Sequence, residues 1–201
     1  KVAPVENEKN AVAVLTLEKD AQERKAGYVP GGIGESLISR LSQLSGLRVM
    51  SGSSVMRYKG KEQDAQKVGN DLNVRAVLTG SVKQIGDQLI ITVSLDDTQD
   101  NHRIWGEQYV RKFADVLAVQ SDIAQEVSTS LRLKLSGADE RQLAKRYTDN
   151  VEAYKLYLKG QYEWNKHTLE DLQKGIEYFN QALEKDPNYA LAYTGLAASY
   201  G

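Results

Sequence analysis

The 201-residue chain is 41% hydrophobic and 26% charged, with 26 basic against 27 acidic residues and a formal net charge of −1. That balance excludes a surface built throughout to hold nucleic acid phosphates, and the size suits one full domain and part of another. No apolar run reaches the roughly 18 residues of a membrane helix, and zero cysteines exclude disulfides, thiolate metal sites and cysteine nucleophiles.

No leader pattern opens the chain, and its first residue is Lys1 rather than Met, which implies a start elsewhere. Compartment stays open between the cytoplasm and the extracytoplasmic part of a membrane-anchored protein. In chain order, Ala11 to Leu17 is a β-branched and aliphatic run that reads as a buried strand. Pro30-Gly31-Gly32-Ile33-Gly34 opens a helix whose apolar face is Ile33, Leu37, Ile38, Leu41 and Leu44, with Gly46 as its stop. Leu47 to Met50 is a second strand, and Asp64 to Asn73 a second helix edged by Ala65, Val68 and Leu72.

Three strands follow: Ala76 to Val82, Gln88 to Leu95 and Ile104 to Val110. Gly86 marks the first connection, and the second, Asp96 to Asn101, is rich in turn-tolerant residues. Leu89, Ile91, Val93 and Leu95 alternate, so one face of this meander is packed. A helix over 115–135, with Val119, Ile123, Val127 and Leu131 at steps of four, is long enough to cover it. The predicted order is β-α-β-α-β-β-β-α, an α+β layer domain over residues 1–136.

The residues carrying that order also resemble a known family. Val14-Leu15, then Tyr28 to Ile38, Leu47-Arg48-Val49, Tyr58 to Lys61, Val74 to Val82, Leu95-Asp96-Asp97 and Ile104 to Tyr109 are similar, in sequence and order, to bacterial TolB-like amino-terminal domains. Two positions depart from that pattern: Pro30-Gly31-Gly32 leads into the first helix, and Asp100-Asn101 stands at a hairpin glycine position. The resemblance implies a domain found ahead of tetratricopeptide repeats in bacterial regulatory proteins, among them serine/threonine kinases and adenylate cyclases. Their catalytic domains lie elsewhere on the chain, and none of a kinase's own motifs is present here.

Residues 137–150 read as a linker: Ser136 to Glu140 breaks the long helix and 141–147 forms a short helical connector. Thr148, Asp149 and Asn150 are N-cap candidates for the next helix. Residues 151–201 resemble tetratricopeptide repeats, one full unit and the first helix of the next. Helices are predicted over 151–166 and 169–185, with Gly175, Phe179, Ala182 and Pro187 at the small, aromatic, small and proline positions. Pairing Ala153-Tyr154 with Ala192-Tyr193 gives a period of 39, longer than the usual ~34, and places the excess near Glu163 to Thr168. Such a repeat buries its apolar face only against neighbours, so the array is truncated.

Gly31-Gly32-Ile33-Gly34-Glu35-Ser36 offers backbone N–H groups for a phosphate, but Glu35 stands where a P-loop has its lysine, which favours a structural turn. Asp96, Asp97, Asp100 and Asn101 lack EF-hand spacing and read as a solvated hairpin. His102 and His167 fall in separate domains, as surface residues, with no zinc or triad spacing. Arg57, Lys59, Lys61 and Lys67 beside Tyr58 read as a solvated face.

Of the aromatic set Tyr154, Tyr157, Tyr162, Trp164, Tyr178 and Phe179, most are packing residues. The candidates for partner contact are Tyr157, Tyr162, Trp164, Tyr193 and Tyr200. The expectation is a non-enzymatic regulatory or scaffolding fragment of a larger signalling protein, with a protein or peptide partner on its helices. It needs no cofactor or metal, binds no nucleic acid and inserts no membrane segment. Homo-oligomerisation through Tyr193, Leu196 and Tyr200 is a further possibility. The competing expectation is a small-ligand or nucleotide sensor gating an attached catalytic domain.

Overall fold

The computed structural model describes residues 10–15, 17–19, 28–58 and 64–200. The strands are β1 (Ala11–Val14), β2 (Glu18–Lys19), β3 (Arg48–Val49), β4 (Ala76–Ile85), β5 (Gln88–Asp97) and β6 (Arg103–Lys112). The helices are α1 (Tyr28–Leu41), α2 (Gly52–Val55), α3 (Ala65–Leu72), α4 (Val116–Ser130), α5 (Gly137–Ala144), α6 (Val151–Trp164), α7 (Leu169–Lys185) and α8 (Ala190–Tyr200). Single 3-10 turns follow α2 and precede α4. The fold class is α+β.

The sheet order is β3-β1-β4-β5-β6, and β2 lies in line with β1 along the same side of β4. β1 pairs parallel with β3 and β4, whereas β4-β5-β6 is an antiparallel meander. Leu89, Ile91, Val93 and Leu95 are all buried on one face, beneath α1 and α4. The opposite face carries a second cluster, in which Ala11, Ala13, Leu15 and Val77 pack on Val55, Tyr58, Val68 and Leu72. The alternation along β5 thus reports burial correctly, because successive strand side chains point to opposite faces.

Local chemistry sets the ends of these elements. Asp64 caps α3 by accepting from the Gln66 N–H at 3.0 Å, and Asn73 closes it in the left-handed region at φ 50°. The tip of the β4–β5 hairpin uses Gly86 at φ 62°, and Asn101 turns the β5–β6 connection at φ 59°. Asn therefore does there what a glycine would do.

Three expectations are corrected. α1 begins at Tyr28, ahead of Pro30, so the glycines sit inside the helix and Pro30 occupies its first turn, where a missing N–H costs nothing. α4 stops at Ser130 rather than near 135, because Arg132 turns left-handed at φ 56° and the Leu133 N–H returns to the Ser128 carbonyl. α5 spans Gly137–Ala144, so the residues expected to break the helix in fact start one.

The reason lies in a capping box: Ser136 accepts from the Asp139 N–H while the Asp139 carboxylate accepts from the Ser136 N–H. Asp139 also accepts from the Ser45 N–H at 2.8 Å and the Ser45 hydroxyl at 2.7 Å, which clamps α5 to the loop after α1. These bonds from the backbone and hydroxyls of Ser45 and Ser136 hold its carboxyl well below the usual carboxylate range. A depressed folded pKa adds stability that is complete above the unfolded value, about 3.9, and is lost as pH falls toward the folded value. Asp139→Asn should therefore lower Tm at neutral pH and flatten the fall of Tm below about pH 4. Identical acid profiles for the two proteins, followed by circular dichroism, would count against this clamp.

Candidate interaction surface

The helical segment is built directly onto the sheet domain. α1 packs along α6, and α6 in turn touches α8, with α7 behind both. Ala153, Tyr154, Leu158, Ala182, Tyr189 and Ala192 belong to the same buried cluster as Ile33, Leu37 and Ile123. A Cβ on Gly32 would lie 2.5 Å from the Leu158 Cδ2, so the missing side chain of this glycine makes room for Leu158 between the two helices.

Polar contacts fix the register of that seam. The Gln120 amide donates to the Tyr154 hydroxyl at 2.6 Å, and the Ser36 hydroxyl donates to the Gln120 carbonyl oxygen at 2.9 Å. Asn165 donates to the Glu35 carboxylate at 2.6 Å from the far end of α6. Arg40, buried at 5% exposure, donates to the Leu143 and Lys145 carbonyls, both at 3.1 Å. Those carbonyls form the negative end of α5, which explains a buried cation without a carboxylate in these bonds. Burial, its leading cause, lowers the Arg40 pKa from the ordinary guanidinium value. Burial likewise pushes the phenols of Tyr154, Tyr157 and Tyr189 upward. The Tyr189 hydroxyl has no hydrogen-bond partner among the described residues.

Within the helical segment Phe179 fills the centre. Cβ atoms built on Gly160 and Gly195 would lie 2.6 and 2.7 Å from its ring, so α6 and α8 each offer a glycine to the same aromatic. Gly160 and Gly195, 35 residues apart, thus both pack against one ring. Tyr154 is 2% exposed at the seam, whereas Tyr193 is 53% exposed, so the two occupy opposite environments. α6 has 14 residues, α7 has 17, and His167 turns their connection at φ 59°.

The five candidate contact residues divide by burial. Tyr157 is half-buried, with its ring centroid 5.8 Å from that of Phe179 and 5.2 Å from that of Tyr189. Trp164 is also half-buried and meets His167 edge-on at 5.7 Å. Tyr162, Tyr193 and Tyr200 are exposed, with the Lys166 ammonium 4.7 Å from the Tyr162 ring centroid. Tyr162 belongs to α6, while Tyr193 and Tyr200 lie on α8.

The other motifs find structural roles. Gly31, Gly32 and Gly34 are residues of α1; Gly32 meets Leu158 of α6 and Gly34 lies beside Leu17. Asp97, Asp100 and His102 bring ligand-type atoms within 4.8 Å of one another at the β5–β6 turn. There Asp97 accepts from the Gln99 N–H, Asp96 accepts from Ser94, and the His102 ring bonds the Asp100 carboxylate. That bond raises the His102 pKa and lowers that of Asp100. Arg57 lies over the Tyr58 ring at 5.0 Å and Lys67 is exposed, while Lys59 and Lys61 fall outside the described residues. Among the described residues no helix is long and apolar enough to cross a membrane.

Two features escaped sequence reasoning. The glycine pair around Phe179 had only residue type as a signal, a glycine on each of two helices. The groove between β6 and α4, lined by Trp105, Glu107, Tyr109, Asp122, Gln125 and Glu126, had none, because its two walls come from separate elements.

No profile of a known protein family matches the chain. It is 31% identical over 189 residues to the protein named "Putative adenylate cyclase 3" of Rhizobium meliloti (strain 1021), an alignment covering 94% of this chain. That alignment spans about a third (32%) of the relative's length. Similar solved structures include TolB of Acinetobacter baumannii, at TM-score 0.45 and 15% identity, covering 61% of this chain and 28% of that one. Lipoprotein GNA1162 of Neisseria meningitidis aligns at TM-score 0.44 and 15% identity, covering 60% and 98%. The LpoB C-terminal domain of Salmonella enterica aligns at 0.42 and 13%, covering 52% and 83%.

Proposed function

We propose that this chain is a non-catalytic regulatory segment of a larger signalling protein, and that its helices recruit a protein or peptide. In this reading α6, α7 and α8 open an array of the tetratricopeptide type, mounted on a TolB-like domain. The name of the Rhizobium meliloti relative favours an adenylate cyclase as the attached catalytic unit.

One observation carries the reading. α8, with the sequence ALAYTGLAASY, has no charged residue. It nevertheless buries only one stripe, and leaves Tyr193 and Tyr200 exposed. A helix apolar on all sides is normally covered on all sides. Its outer face therefore suits a peptide or helical segment, with tyrosines that give contact area at low entropic cost.

The test is affinity capture with quantitative mass spectrometry, comparing the natural chain with the Tyr193→Glu/Tyr200→Glu variant. Both sites are exposed, so each substitution should change stability by no more than about 0.5 kcal/mol. A protein recovered by the natural chain and lost with the variant is the expected result. Equal recovery would remove α8 as the binding face. No recovery, with Tm raised by a nucleotide or metabolite, would favour a ligand sensor instead.

A further inference from the structure

β6 is the long edge of the sheet: it pairs with β5 on one side and with no described strand on the other. Phe113 donates to the Asp87 carbonyl one step beyond the Gln88–Lys112 pair. In an antiparallel ladder the bonding direction alternates. Residues 105, 107, 109 and 111 therefore bond toward β5, while Gly106, Gln108, Val110 and Lys112 turn their N–H and C=O groups outward. Glu107, Gln108, Val110, Arg111 and Lys112 are all exposed. A sheet edge of this length is a template for another strand unless charge or cover prevents it.

The charges on this edge select a particular strand. Glu107 and Arg111 share the α4 side of the sheet, opposite Val93 and Leu89 of β5, with Tyr109 midway between them. We infer that β6 pairs antiparallel with β6 of a second copy of this chain, about a two-fold axis at Tyr109. Gln108 then exchanges hydrogen bonds with Val110 of the second copy, and Gly106 with Lys112. Glu107 of each copy stands opposite Arg111 of the other, in the non-hydrogen-bonded pairs where side chains come closest.

Neighbouring registers lack this match. An axis at Gln108 sets Glu107 against Tyr109, and an axis at Glu107 sets the two carboxylates against each other. The groove behind Glu107 adds to the attraction. Asp122 and Glu126 of α4 line it, and among the described residues no ion pair engages Glu107, Asp122 or Glu126. Burial first, then Glu126, Glu107 and Asp122, push the Tyr109 phenol up to about 12. An incoming Arg111 thus meets a concentration of negative charge. This interface is separate from α8 and does not depend on its tyrosines.

Sedimentation velocity over a concentration series tests the pairing. The natural chain should show a monomer–dimer equilibrium. Glu107→Arg or Arg111→Glu alone should weaken it by about tenfold or more, since each sets like charges opposite one another twice. Mixing the two single variants, or combining both changes in one chain, should restore dimers because opposite charges face again. Gln108→Pro removes an outward N–H that the fold does not use, so it should abolish the dimer and leave the Tm nearly unchanged. A chain that is monomeric throughout would overturn the inference. So would dimers indifferent to these variants, or dimers dissolved by Tyr200→Lys instead.

Discussion

Phe179→Ala is expected to destabilise the helical segment by about 3–5 kcal/mol, the usual cost of emptying a buried aromatic site. The upper part of that range applies here for a geometric reason. Phe179 is 2% exposed, and its neighbours include the bare backbones at Gly160 and Gly195, which have no side chain to swing into the void. Tyr157, 5.8 Å away, is itself held against Tyr189. Collapse would require α6 and α8 to move together, and α6 is tied to α1. Denaturation in urea, followed by helical circular dichroism, measures this cost. A loss below about 1 kcal/mol would mean that the site relaxes freely and that the helices are less constrained than the packing implies.

Gly32→Val is expected to separate the two halves of the protein in unfolding. Helix propensity alone favours the change by a few tenths of a kcal/mol, because glycine is a poor helix former. Sterics oppose it more strongly. The new Cβ would sit 2.5 Å from the Leu158 Cδ2 and 3.2 Å from its Cγ, and Leu158 is fully buried, so it can yield only by displacing its neighbours. Overpacking of this kind costs about 1–3 kcal/mol, so the clash prevails.

The two tryptophans report on separate halves, Trp105 on β6 and Trp164 at the end of α6. Single-tryptophan versions of the natural chain should unfold with one midpoint, because one buried cluster runs through both halves. In the Gly32→Val background the Trp164 midpoint should fall below that of Trp105. Coincident midpoints in that background would show that the seam contributes little to cooperativity.

Along the sheet, much of the fold was legible from local pattern. The alternation over 89–95 and the turn residues Gly86 and Asn101 act within a few residues of themselves, so periodicity and turn chemistry report them directly. The ends of α4 and α5 were misplaced for the opposite reason. Asp139 starts α5 partly because it is held by Ser45, and α4 ends where the chain must turn to deliver that contact. Neither partner is visible from the other in sequence.

The helical segment shows the same division. Its helices, its N-cap at Asn150 and the aromatic at Phe179 follow from spacing and residue type. Which tyrosines meet solvent does not. Tyr154 and Tyr193 sit in matching dipeptides, yet one is buried against Gln120 and the other faces water. By itself the sequence determined the element order, the faces of the strands and the near-even balance of charge. Only the tertiary structure decided that α1 covers α6, that Gly160 and Gly195 share one ring, and that β6 is left as an open edge. Those outcomes depend on close approaches between elements far apart in the chain, where one Cβ more or less sets the distance.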